Sequence, residues 1–260
     1  MSGPDAELVR ERRGALSLLR LNRPDARNSL TSSLVDALGT ALLEAEADPG
    51  VRAIVLTGTG ERAFCSGMDL RSFSEGDVPG ATAGASTEAF YRLLRGEVHV
   101  PVIGAANGSA VAGGLELLLG CDVVIASSEA RFGLPEVKRG LFAAGGGTLI
   151  GNRIPTAIAL ELTLTGDLVD AARAYEVGLV NAVVAPDAVW ATALDMAERI
   201  AANGPLGLAA SKELVRLSAS DPAAARQRMA EWSSVVFASE DAMEGARAYM
   251  DKRDPEWKGR

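Results

Sequence analysis

The chain has 260 residues, with 26 basic against 34 acidic side chains, two cysteines and one histidine; 48% of it is hydrophobic and 23% charged. This is the composition of a soluble globular chain long enough to bury one large core, and its net charge of −8 argues against general binding to nucleic acid or an anionic membrane. Cys65 and Cys121 are too few for a disulfide framework, a Cys₄ zinc site or an iron–sulfur cluster, and His99 alone excludes a His-rich metal site, so any acid–base chemistry falls to carboxylates and backbone amides.

The N-terminal residues are charged (Asp5, Glu7, Arg10, Glu11, Arg12, Arg13) and lack an apolar segment behind a basic one, so no secretory signal is expected and the chain reads as cytoplasmic. The sequon Asn107-Gly108-Ser109 is then a chance match. Residues 15–21 and 51–57 are short, apolar and bounded by turns, as buried strands are. Between them Leu34, Leu38, Ala41, Leu42 and Ala45 recur at helical spacing behind the capping residues Thr31 and Ser32, and Asp48-Pro49-Gly50 ends the helix. Gly58-Thr59-Gly60-Glu61-Arg62-Ala63 looks like a dinucleotide-binding fingerprint, but Phe64-Cys65-Ser66-Gly67 does not open the helix such a site needs; the segment reads as a strand-ending turn. Residues 76–86 are the best candidate for a mobile loop.

Two further strands, 101–106 and 122–126, flank a glycine-rich connection and a short apolar helix over 113–120, and this alternation predicts an α/β core with parallel strands. Residues 98–115 carry no formal charge, yet Pro101, Asn107 and several small residues make them a poor membrane span. Beyond Gly147 the chain is Ala/Leu-rich with helical periods at 157–165, 171–177, 189–202, 206–217 and 223–250, so roughly the last 90 residues read as all-helical. The expected organisation is an α/β core over 1–195 followed by a helical region over 196–260.

Glu116 is the only charged side chain between Val98 and Cys121 and sits among Leu115, Leu117, Leu118 and Leu119. A helix apolar on every face is buried, and a carboxylate carried into that environment has its pKa raised toward the range that acid–base catalysis uses. A plain electrostatic partnership with the helix N-terminus would account for a Glu there equally well. Gly113 opens the same helix, where a free amide can approach a ligand oxygen, and a spacing of three puts Glu116 on its side; close helix packing explains the glycine as readily. Glu136, taken by itself, reads as a solvated loop residue paired with Lys138 and Arg139.

Several segments occur in a familiar order: Leu21-Asn22-Arg23-Pro24, Asn28-Ser29-Leu30, Ala63-Phe64-Cys65-Ser66-Gly67-Met68-Asp69-Leu70, and residues 101–108. They are followed by Gly113-Gly114-Leu115-Glu116-Leu117, Cys121-Asp122 and Phe132-Gly133-Leu134-Pro135-Glu136. Together they resemble the crotonase superfamily, and within it the enoyl-CoA hydratases, over essentially the whole chain. The resemblance implies a crotonase-like spiral of ββα units, with the helical C-terminal region making a homotrimer or a hexamer built as a dimer of trimers. It implies an acyl-CoA thioester as substrate and hydration of a trans-2-enoyl-CoA, with Glu116 and Glu136 as the acid–base pair and the backbone amides of Met68 and Gly113 as an oxyanion hole. Coenzyme A and substrate contacts are implied for Arg27, Arg62, Ala63, Ser66, Asp69, Leu70, Arg71 and Phe142, and for Tyr249 and Lys252 from a neighbouring subunit. Asp25 and the alanines of Ala143-Ala144-Gly145-Gly146-Gly147 depart from common hydratase patterns. No metal, flavin or nicotinamide is implied. A Δ3,Δ2-enoyl-CoA isomerase, a weakly catalytic acyl-CoA-binding paralogue and a thioesterase working through Cys65 are the alternatives.

Overall fold

The computed structural model describes residues 6–76 and 83–260. The predicted loop at 76–86 lies mostly outside the described residues, and Ala85 and Ser86 already belong to a helix. The charged segment Leu8–Arg13 forms β1, which pairs antiparallel with β2 (Leu16–Leu21) through a turn at Gly14. Helix α1 (Ser32–Ala47) starts where the capping signal placed it: Thr31 Oγ1 accepts from the Leu34 amide at 3.1 Å. Strands β3 (Ala53–Gly58) and β4 (Ala63–Cys65) follow, then α2 (Leu70–Ser74) and α3 (Ala85–Arg95).

The next units repeat the pattern of a long strand, a short strand and a helix. Strand β5 (Val102–Ala106) leads to β6 (Ser109–Val111) and α4 (Gly113–Gly120); β7 (Val123–Ser127) leads to β8 (Arg131–Gly133), 3₁₀ turns at Pro135–Arg139 and Gly147–Asn152, and α5 (Thr156–Thr165). The chain then runs through β9 (Val169–Asp170), α6 (Ala171–Glu176), β10 (Ala182–Val184), α7 (Val189–Ala201), α8 (Pro205–Ser220), α9 (Pro222–Val236) and α10 (Glu240–Asp251).

The long strands form one sheet in the order β1-β2-β3-β5-β7-β10, parallel except at β1, and the short strands form a second sheet, β4-β6-β8-β9, parallel except at β9. The large sheet is covered on both faces. Leu16, Leu18, Ala53, Val55, Ile103, Ala105 and Ile125 pack against α7, while Leu19, Leu21, Ile54, Leu56 and Val102 face the main core with α1, α3 and α4. Double-sided burial explains why these strands read as continuous apolar runs.

Two expectations are corrected. The last third is not purely helical, because β10 adds a parallel edge to β7. Nor is 223–250 one helix: α9 stops at Val236, and Ser239 caps α10 by accepting from the Ala242 amide at 3.0 Å, ahead of Glu240 and Asp241 in the first turn. Ala-rich periodicity concealed a capping signal that is plain in Ser239-Glu240-Asp241.

Helices pack at glycines where backbones meet. A methyl group on Gly39 would lie 1.8 Å from the Ser86 carbonyl oxygen, and one on Gly120 would lie 1.9 Å from that of Leu93. Among the described residues no helix is long and apolar enough to cross a membrane.

Candidate active site

Strands β4, β6 and β8 are parallel neighbours, so their C-terminal ends open on one edge of the small sheet. The residues just past those ends are Gly67-Met68, Gly113 and Glu136. Ligands of parallel sheets bind beyond the carboxyl ends of the strands.

Past β4, Gly67 adopts φ +88° and Met68 bridges in parallel to Leu30: Leu30 N donates to Gly67 O (2.8 Å), and Asp69 N donates to Leu30 O (2.9 Å). The loop is braced from below. Asn28 Nδ2 donates to the carbonyls of Thr59 and Ala63, and Asn107 Nδ2 donates to those of Gly60 and Ala63. Asp69 accepts from Arg23 Nη1 and Ser29 Oγ, both at 3.0 Å, and from the amides of Arg71 and Ser72. These donors hold its carboxyl below the usual range, against the burial that would raise it.

Past β6, Ala112 sits at φ +53°, a conformation costing a residue with a side chain about 1–3 kcal/mol. It is held there because its amide donates to Gly133 O (2.9 Å) and its carbonyl accepts from the amides of Leu115 and Glu116. The bend turns the chain from strand into helix within one residue. A methyl group on Gly67 would lie 2.9 Å from the Gly113 nitrogen, so the two segments touch. Among the described residues, neither the Met68 nor the Gly113 amide donates to a protein acceptor.

Glu116, one turn into α4, is only 6% exposed. Its Oε1 accepts from the Gly147 amide at 2.8 Å, and the Gly145 amide also donates to the carboxylate. The glycines of this turn are required by proximity, since a methyl group on Gly145 would lie 2.5 Å from Glu116 Oε2. Burial pushes the Glu116 pKa up and the nearby charge of Glu136 adds to it, outweighing the two amides.

Glu136 corrects its sequence reading. It is half-buried rather than solvated, and Lys138 is bonded to Asp167 at 2.6 Å instead. Its Oε2 is buried and without a hydrogen-bond partner among the described residues, and burial raises its pKa against the opposing influence of its own backbone amide and Arg139. Two carboxyl groups with elevated pKa values thus lie close enough for the charge of Glu136 to act on Glu116, an arrangement typical of acid–base sites.

The remaining predicted residues are distributed as follows. Arg27, Arg62 and Arg71 are exposed, Ala63 is buried, and Ser66 is half-buried with its amide donating to Arg27 O. The Leu70 side chain lies outside the described residues. Phe142 is 69% exposed, while Tyr249, at 87%, stands on α10 and the exposed Lys252 just past it.

Cys65 and Cys121 are fully buried, and burial pushes both thiols up to about 12. A thiolate mechanism through Cys65 is therefore disfavoured. The native protein is expected to show no fast-reacting thiol toward DTNB at pH 8, with both appearing on denaturation; rapid native labelling would reopen the thioesterase alternative. Among the described residues no three His, Cys, Asp or Glu side chains gather as metal ligands do.

The double-sheet spiral, with strand ends converging on buried carboxyls, places the chain among crotonase-fold enzymes. The family model for enoyl-CoA hydratase/isomerase matches residues 11–260, and the chain belongs to that family. It is similar to a carnitinyl-CoA dehydratase of Proteus mirabilis (37% identity over 254 residues, covering 95% of this chain and 97% of that protein). Among solved structures it resembles an enoyl-CoA hydratase of Mycobacterium tuberculosis (39% identity, TM-score 0.89, 98% and 100% of the two chains). It also resembles a carnitinyl-CoA hydratase of Mycobacterium avium (42%, TM-score 0.77, 98% and 99%). These relationships make the chain a member of the crotonase family of enzymes.

Proposed function

We propose that the protein adds water reversibly across the double bond of a trans-2-enoyl-CoA, giving the 3-hydroxyacyl-CoA. The observation carrying this is the juxtaposition of Glu116 with Glu136, whose buried Oε2 has no protein partner, beside the unengaged Gly113 amide. In this mechanism the thioester oxygen is received by the Met68 and Gly113 amides, which draws electron density from the β carbon; donors of this kind contribute about 3 kcal/mol each to the transition state. Glu116 accepts a proton from water as its oxygen adds to the β carbon, and protonated Glu136 delivers a proton to the α carbon. Proton return from Glu116 to Glu136 restores the pair. The reaction is redox-neutral, so it calls for neither flavin nor nicotinamide. A reaction that moves only one proton between carbons, as in isomerisation, has less use for two carboxyls.

Arg27, Arg62 and Arg71 are exposed and make no ion pair among the described residues, as befits cations that meet the phosphates of coenzyme A. Tyr249 and Lys252 would reach a neighbouring protomer's site in a trimer or hexamer. The apolar surface of the C-terminal helices, including Met229, Phe237, Met243 and Met250, supports such an assembly.

The similarity to carnitinyl-CoA dehydratases supports a second substrate, carnitinyl-CoA, for the same chemistry in the dehydrating direction. The test is a panel of trans-2-enoyl-CoA thioesters of increasing length, together with trans-3-enoyl-CoA and carnitinyl-CoA, followed by absorbance of the conjugated thioester. Hydration of the trans-2 substrates is expected. Conversion of only the trans-3 substrate would identify an isomerase, and binding without turnover an acyl-CoA-binding protein.

A further inference from the structure

Arg153 ends the 3₁₀ turn Gly147–Asn152, whose first residue donates its amide to Glu116. Its half-buried guanidinium reaches the opposite end of α4, where Nη1 donates to Leu118 O at 2.9 Å and Nη2 donates to Cys121 O at 2.9 Å and Asp122 O at 3.4 Å. The turn and α4 are therefore fastened at both ends, by Gly147 on the Glu116 carboxylate and by Arg153 on the last carbonyls of the helix. A cation at a helix C-terminus also complements the helix dipole.

Arg153 is not alone at this corner. From α8, Arg216 donates to Gly120 O and Cys121 O and pairs with Asp122 at 2.9 Å, and Lys212 pairs with Asp122 at 2.7 Å while donating to Val100 O. These two cations have a carboxylate partner. Arg153 forms no ion pair among the described residues and binds only main-chain carbonyls, although the charges of Asp122 and Arg216 reach it.

We propose that Arg153 is a positioning residue for the acid–base pair: by locking the turn Gly147–Asn152 against α4 it keeps the Gly145 and Gly147 amides on Glu116. This rests on the role given to Glu116 above. Those amides favour the ionised carboxylate, whereas burial favours the protonated form, and Glu136, the one titratable group whose field reaches Glu116 among the described residues, adds to burial only when it is itself ionised. Loosening the turn removes the first influence and leaves the others. The acid limb of the pH–rate profile then moves to higher pH.

The experiment compares Arg153→Met, Arg153→Lys and Arg216→Met in the full-length protein by three measurements: pH profiles of kcat and KM, thermal melting, and hydrogen exchange of peptides spanning residues 145–152. For Arg153→Met we expect kcat to fall by about tenfold or more with KM nearly constant, and the acid limb to rise by about one pH unit, the scale of a lost hydrogen bond to a charged group. Exchange over 145–152 should accelerate. Arg153→Lys should recover part of both effects, and it carries the same readouts in smaller measure should the methionine variant not fold. Arg216→Met should lower the melting temperature without moving the limb. An unchanged limb and unchanged exchange in the Arg153 variants, or equal shifts in the Arg216 variant, would overturn the proposal. Were wild type to turn over no enoyl thioester, or Glu116→Gln to remain active, the functional reading would fail, while the exchange data would still decide the clamp.

Discussion

Glu116→Gln is expected to lower kcat for enoyl-CoA hydration by about 10²–10⁴ with little change in KM, because the amide keeps the shape of the carboxyl but cannot take a proton from water. Its oxygen can still accept from the Gly147 amide, so the fold should persist. Stability should change in the opposite sense. Burial raises the folded-state pKa of Glu116 above its ordinary value of 4.5, so ionising it in place destabilises the protein as pH rises from that value through the folded pKa. Glutamine removes this penalty. The variant should therefore melt higher than wild type at pH 7–8, and the difference should vanish below about pH 4, where Glu is protonated in both folded and unfolded chains. Near wild-type turnover would end the assignment of Glu116 as the base; an equal melting difference at both pH values would show that desolvation is not its source. Glu136→Gln should also depress kcat, because an amide has no acidic proton to deliver to the α carbon.

The second large effect is expected at Gly67. A methyl group there would lie 2.8 Å from Ala112 Cβ and 2.9 Å from the Gly113 nitrogen, on a backbone at φ +88°. Gly67→Ala should cost about 1–3 kcal/mol of stability through strain and overpacking. It should also reduce kcat by about 10²–10³, the loss associated with a displaced oxyanion donor. Gly14→Ala is the matched control: it too has positive φ, at +55°, but open space around the new methyl group. It should show the conformational destabilisation with kinetics unchanged. If both variants lose activity in proportion to stability alone, the Met68–Gly113 amide pair is not where the thioester is polarised.

The parallel long strands, the Thr31 cap, the all-apolar helix over 113–120 and the burial of its lone Glu116 were legible in the sequence because each is a local pattern: a short apolar run, a capping residue, a period, a charge among leucines. The short sheet was not, since β4, β6 and β8 are three residues each and too brief to display a period. Nor was α3, whose start follows Gly84 without a side-chain cap. Resemblance to a family brought Glu136 forward, whereas its local composition suggested a solvated ion pair.

What the sequence by itself determined is the toolset: one imidazole, two cysteines, a carboxylate embedded in leucines, and glycines where a chain must turn. Tertiary structure alone decided how these tools meet. It set three short parallel strands side by side so that Met68, Gly113 and Glu136 emerge at one edge, stripped Glu136 Oε2 of partners, and brought the Gly145 and Gly147 amides onto Glu116 from some thirty residues away. The physical reason is that burial and the loss of a hydrogen-bond partner are properties of what packs against a group, and nothing in its neighbours along the chain encodes them.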